Sequence, residues 1–311
     1  MRSVLVKILR ERALLDKNLF ILTSDLGFKL FDSFRVACPR QFINMGIAEQ
    51  NMVGVAAGMS LSGKNVYCYT MVPFLTMRAL EFIRIDICYH RLNVKLVGVG
   101  GGVYYGFEGM THHGVEDLSI MRTLPGMTII APGDPIEAAA LIEQSLDYPL
   151  PLYIRLGGNN DAVIHQSAKK ILIGKGAIVH EGRNLTLIAT GSMLPVAVEV
   201  AGILREKRCD PSVISLHTLK PLDEALIRQY ASRSIAVFTI EEHSLIGGLG
   251  TAVSETLLEA GYRGIFKKFG LSDEYGKVVG SNNFIREFHG LSPQKISSTI
   301  HRLLQKSREG K

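Results

Sequence analysis

Apolar residues at Val4, Leu5, Ile8, Leu9 and Leu14 recur at helical spacing, and LFILTS (19–24) follows as a run of buried-strand length. The alternation then repeats. FINM (42–45) reads as a strand, 48–61 as a helix of small residues that can pack close to a sheet, VYCYT (66–70) as a strand and 74–90 as a long helix. VKLVGVG (94–100) is another strand, and MTIIAPGDPIEAAALIEQSL (127–146) gives strand, turn and helix. In that turn Asp134 has the place of a helix N-cap, with Pro135 in the first helical position and Glu137 three residues after the cap. A catalytic role for Asp134 is the weaker reading.

Regularity fades over 157–176, where GGNNDAVIHQSAKKILIGKG reads as a connector with short irregular strands. A second series follows: LTLIAT, a helix from Leu194, SVISLH, a helix from Asp223, AVFTI, a helix from Gly248, then GIFKKFG. Strands rich in Val, Ile and Leu alternating with helices predict an α/β chain of two doubly wound, mainly parallel-sheet domains. Boundaries are expected at 1–160 and 177–311, with a connector at 161–176, and no sequence repeat relates the halves.

Composition narrows the class. The chain has 311 residues, 47% apolar and 21% charged, within the range of soluble globular proteins. It lacks an apolar run of roughly 18 residues, so no membrane span is expected. MRSVLVKILRERALLDKN interleaves charges with its apolar residues, which predicts an amphipathic helix and argues against a signal peptide. Cys38, Cys68, Cys88 and Cys209 are scattered without paired spacing, the pattern of reduced thiols in a cytoplasm. The net charge of +6 is spread among acidic residues, so by itself it fits small anionic substrates or a more acidic partner chain as well as it fits DNA; the lack of an aromatic-basic stripe makes nucleic acid the weakest reading.

Three features could carry chemistry. GVGGGVYYGFEGMTHHG (98–114) has Val103 where a dinucleotide fingerprint needs glycine, and no G-K-[ST] for a phosphate loop. It remains a flexible-backbone loop at the carboxyl end of a strand, where open α/β sheets bind ligands. His112 and His113 lie in it without a third metal ligand, and one suits proton transfer or hydroxyl binding; the plain alternative is a loop histidine satisfied by its neighbours. Glu49 is the sharpest: a lone carboxylate inside FINMGIAEQNMVG, among Ile43, Met45, Ile47, Ala48 and Met52. At a helix start it could simply accept free backbone amides. Apolar surroundings would also suit it to hold or share a proton with a heterocyclic nitrogen.

FINMGIAEQNMVGVAAG, GMTHHGVEDLSIMRTLPGMTIIAPGDPIEA, ATGSMLPVAVEVA, LHTLKPLDE and EEHSLIGGLG, in this order, resemble the carboxyl-terminal portion of the transketolase family. The resemblance implies a pyrimidine-binding domain at 1–160 and a transketolase C-terminal domain at 177–311. It implies that Glu49 bonds the aminopyrimidine ring of thiamine diphosphate, promoting the tautomer that takes the thiazolium proton. Ile47 and Gln50 flank it as cofactor contacts. Phe74 is the candidate for the aromatic that stacks on the pyrimidine, while ungapped alignment on Arg78 puts Leu75 there instead. His112 matches the histidine that contacts substrate oxygens, and Glu108 falls where an acidic residue reads a substrate hydroxyl. Arg2 corresponds to an arginine that reaches the substrate phosphate, and Arg155 is carried as a further substrate-binding candidate.

Two positions depart from the family pattern. A histidine ahead of the glycine loop is replaced by Gly100, and the arginine that grips the sugar phosphate falls at Gly158. The loss of a bidentate clamp implies an unphosphorylated acceptor or an unusual head group. The family also holds the diphosphate through Mg²⁺ with a GDG motif, whereas this chain has only Gly133-Asp134-Pro135. No residue is therefore assigned to a metal. The expectation is half an enzyme, completed by a separate diphosphate-binding, amino-terminal-type subunit in a heterotetramer and moving a two-carbon ketol unit between sugars. Related thiamine enzymes remain open as alternatives, namely a deoxyxylulose-phosphate synthase-like enzyme or a 2-oxo-acid dehydrogenase beta chain, as does a non-catalytic partner subunit.

Overall fold

The computed structural model describes residues 1–158 and 162–309. In chain order the strands are β1 (Leu19–Thr23), β2 (Phe42–Asn44), β3 (Asn65–Met71), β4 (Val94–Val99), β5 (Thr128–Ile130) and β6 (Leu152–Leu156). There follow β7 (Ala177–His180), β8 (Leu185–Ala189), β9 (Pro211–Ser215), β10 (Thr218–Lys220), β11 (Ala236–Ser244) and β12 (Ile265–Leu271). They build a seven-stranded sheet ordered β10-β5-β6-β4-β3-β1-β2 and a five-stranded sheet ordered β12-β11-β8-β9-β7. Pairing is parallel except for β10 with β5 and β7 with β9, so both domains are doubly wound as expected.

Alternation along each strand decides which helices cover which face. Leu22, Cys68 and Leu96 face a core with Met52, Val53 and Ala56 of helix Glu49–Leu61. Their strand neighbours Ile21, Tyr67 and Val97 face helices Arg2–Leu15 and Pro135–Leu146. The first of these cores continues without a break into Ile188, Ile214 and Val253 of the second domain. No helix among the described residues is long and apolar enough to cross a membrane.

Three elements of the fold differ from the sequence expectations. The segment expected as one helix over 74–90 has widened π turns at Phe74–Arg78 and Ile83–Tyr89 around a short α turn, Leu80–Phe82. Such turns recur at functional sites because they re-aim side chains. No strand forms within 162–176. Strand β10, carried by the second half of the chain, closes the sheet of the first.

Asp134 is the N-cap that its spacing predicts. Its Oδ1 accepts the Glu137 amide at 2.7 Å, while Oδ2 accepts the amides of Ile164 (2.9 Å) and His165 (2.7 Å) from the connector. Burial alone would push this carboxyl up, but His165 and the amides outweigh it and hold it at about 2. One side chain thus caps a helix and ties down the connector. Asp134→Ala is expected to lower stability by about 2–3 kcal/mol, the sum of a lost cap and unpaired amides, read as a lower midpoint in urea with unchanged slope.

Candidate active site

The carboxyl ends of β1, β2 and β3 meet the start of helix Glu49–Leu61. Two loops are pinned there by one side chain. Asn44 Oδ1 accepts the amides of Asp25 (3.0 Å) and Gly46 (3.1 Å), and its Nδ2 donates to Asp25 Oδ1 at 3.0 Å. Gly46 has φ +70°, a left-handed turn that suits glycine, and it delivers the chain into the helix.

Glu49 is the first residue of that helix and is 3% exposed. Burial of Met52 and Val53 one turn on, about 1.5–3 kcal/mol each, offsets the desolvation of a carboxylate there. Its partners are side chains and not the free backbone amides of the helix start. Ser24 donates to Oε1 at 2.9 Å, and Arg78 Nη1 donates to Oε2 at 3.2 Å. Ser24 is also 2.6 Å from the Thr70 hydroxyl. The apolar neighbours that the sequence places around Glu49 thus enclose a small polar cluster, and the plain reading of a carboxylate held by free helix amides does not hold.

From Arg78 a continuous wall leads outward. Its guanidinium carbon lies 4.1 Å from the Phe74 ring centroid, and the Phe74 ring meets that of His112 edge-on at 5.3 Å. Phe74 and Arg78 are four apart on the widened turn, which stacks them. Leu75 is fully buried in the core, so Phe74 is the side chain of this pair that faces the site. Thr111 bonds His112 Nδ1 at 2.9 Å, and the Tyr105 ring is 6.4 Å from that of His112. Tyr105 and Tyr104 accept from Arg2 at 3.4 and 3.1 Å. Glu108 lies on the same loop and is exposed, as are Ile47 and Gln50 at the start of the helix.

The two departing glycines have a structural cause. A Cβ on Gly100, whose φ is +76°, would lie 2.1 Å from the Tyr105 ring, and one on Gly158 would lie 2.6 Å from the Tyr104 ring. Those tyrosines fill the space that larger side chains at 100 and 158 would need.

Arg155 is a correction. It is 4% exposed, and its Nε donates to Asp117 Oδ2 at 2.9 Å. Its Nη2 donates to the carbonyls of Gly114 (2.8 Å) and Glu242 (3.1 Å). An arginine ending a strand can clamp an anion or buttress a loop, and burial against Asp117 makes it a buttress under the glycine loop. Ser24 and Thr70 were not singled out from the sequence. Their one signal is a polar side chain at the carboxyl end of an apolar strand. Among the described residues no group of three or more His, Cys, Asp or Glu is arranged to hold a metal ion.

Residues 1–160 match the transketolase pyrimidine-binding domain and residues 174–296 the transketolase C-terminal domain. The chain is 35% identical over 293 residues to a putative transketolase C-terminal section of Methanocaldococcus jannaschii, covering 93% of this chain and 92% of that one. It is 36% identical over 300 residues to an apulose-4-phosphate transketolase subunit of Phocaeicola vulgatus, covering 96% and 95%. A solved structure described as a split-gene transketolase, an inactive beta4 tetramer, superposes with TM-score 0.89 at 35% identity over 98% of each chain. Two matched domains in family order, on a fold shared along nearly the full length, establish that this chain belongs to the transketolase family.

Proposed function

We propose that the chain is the carboxyl-terminal half-subunit of a thiamine diphosphate-dependent transketolase. It would move a two-carbon ketol unit from a ketose to an aldose together with a separate subunit that holds the diphosphate and Mg²⁺, as a heterotetramer. The observation that carries this reading is Glu49, buried at a helix start, with Phe74 and His112 in ring contact on the same edge of the sheet. Relatives of matching length that are themselves named as a transketolase subunit or a C-terminal section support the split.

The family implies thiamine diphosphate, and the donor set fits its pyrimidine end: a buried carboxylate for a ring nitrogen and an aromatic face at Phe74. When bound, the cofactor supplies the electron sink that lets a carbon–carbon bond beside a carbonyl break. The chain's own residues do the rest. Glu49 holds and shares a proton at its carboxyl oxygen, and Phe74 offers its ring face, with Ile47 and Gln50 beside the carboxylate. His112, oriented through Nδ1 by Thr111, presents its other ring nitrogen to substrate oxygens. Glu108 reads a substrate hydroxyl from the same loop. Arg2, braced by two phenols, serves the far end of the sugar. Ile47 and Phe107, 75% and 74% exposed on these loops, are apolar surface that a partner subunit would cover.

The test uses the purified chain, the purified diphosphate-domain subunit, and their mixture. Neither component alone is expected to transfer a ketol unit, and the mixture does so as a two-plus-two assembly by native mass spectrometry. Ketol transfer by this chain alone would overturn the split reading. Carbon dioxide release from pyruvate by the mixture would favour an acyloin-forming or dehydrogenase relative instead.

A further inference from the structure

Ser24, Thr70 and Glu49 are 6%, 1% and 3% exposed, so bulk water does not serve their polar atoms. The Ser24 hydroxyl lies within hydrogen-bond distance of both Glu49 Oε1 (2.9 Å) and Thr70 Oγ1 (2.6 Å). A hydroxyl has one proton to donate and can accept in addition. With the carboxylate ionised, Ser24 must donate to Glu49, and Thr70 then donates to Ser24. With the carboxyl protonated, the chain reverses: Glu49 donates to Ser24, and Ser24 donates to Thr70. Each hydroxyl rotates, and no proton changes its owner.

We propose that Ser24 and Thr70 form a reversible hydroxyl relay, holding Glu49 in one orientation through both of its protonation states. Both are thereby positioning residues for the reaction. This rests on the role of Glu49 proposed above. A group that must alternately hold and release a proton needs a neighbour that is donor in one state and acceptor in the other. A backbone amide or a guanidinium cannot become an acceptor, and would strand a buried acid without a partner. Asp134 shows the contrast within the same chain. Its partners include three backbone amides, which serve only the ionised form, and its carboxyl is held at about 2 although burial alone would raise it. Arg78 supplies the fixed charge on the other oxygen of Glu49, from a side chain 48% exposed, and can swing outward without leaving a buried cation. The relay is the part that adapts.

The experiment uses the reconstituted complex with Ser24→Ala, Ser24→Thr, Thr70→Val and the Ser24→Ala/Thr70→Val pair, measuring kcat and KM. Ser24→Ala is expected to lower kcat by about 10- to 100-fold, the scale of a lost hydrogen bond to a charged group. KM for both sugars should stay within about twofold because no substrate contact is removed. Ser24→Thr restores most of the activity. Thr70→Val lowers kcat less, and adds nothing in the Ser24→Ala background, because it acts through Ser24. If Ser24→Ala does not assemble, Ser24→Cys carries the same comparison with a weak donor of similar shape. An unchanged kcat in Ser24→Ala, in a complex that Glu49→Gln inactivates, overturns the relay alone. A complex still active with Glu49→Gln overturns the role of Glu49 and the relay together.

Discussion

Glu49→Gln is expected to lower ketol transfer by the reconstituted complex by about 10²- to 10⁴-fold, the range of a positioned proton-transfer group. Assembly should be intact. Glutamine has nearly the same shape, and its carbonyl can still accept from Ser24 Oγ, which is 2.9 Å from Oε1. Its NH₂ would then face Arg78, two donors opposed, but Arg78 is 48% exposed and can turn to water. What glutamine cannot do is hold a proton that it later releases. Initial rates at saturating sugar, with native mass spectrometry for assembly, separate the two effects. A loss smaller than tenfold would remove this carboxyl group from the proton chemistry.

The second large effect concerns stability. Arg155→Met is expected to cost about 3–5 kcal/mol, because Asp117, at 0% exposure, would become a buried charge without its cation. The Tyr153 hydroxyl, 2.7 Å from the same Asp117 oxygen, is one neutral donor and cannot replace the guanidinium. Arg155 also joins the carbonyls of Gly114 and Glu242, so its loss loosens the glycine loop from the second domain. Urea unfolding of the complex measures the cost, and Arg155→Met with Asp117→Asn should recover part of it by removing the stranded charge. A variant of unchanged stability whose KM alone rises would instead return Arg155 to the substrate.

These residues also show how far the sequence could be read. Asp134 was legible because a cap, a proline and an acidic residue lie within one turn, and the energetics of a helix start are local. Glu49 was legible because a single charge in an apolar stretch is conspicuous whatever surrounds it in space. Arg155 was misread because an arginine at a strand end has the same local pattern whether it meets an anion or a buried aspartate 38 residues away. Phe74 and Leu75 could not be separated, since the widened turn that exposes one and buries the other depends on packing against the helix Glu49–Leu61.

By itself, then, the order of residues determined the two β/α series, the capped turn at Asp134 and the isolated carboxylate at 49. Each is a matter of periodicity or of neighbours within one or two turns. Tertiary structure alone decided that β10 joins the first sheet, that two tyrosines fill the space above Gly100 and Gly158, and that Glu49 meets a hydroxyl pair. Ser24, the residue just past the end of β1, and Thr70 on the neighbouring β3 lie 46 residues apart. Side chains so distant in sequence acquire a common environment only when the sheet sets their register, because a hydrogen bond acts over about 3 Å and carries no mark in the chain that separates its partners.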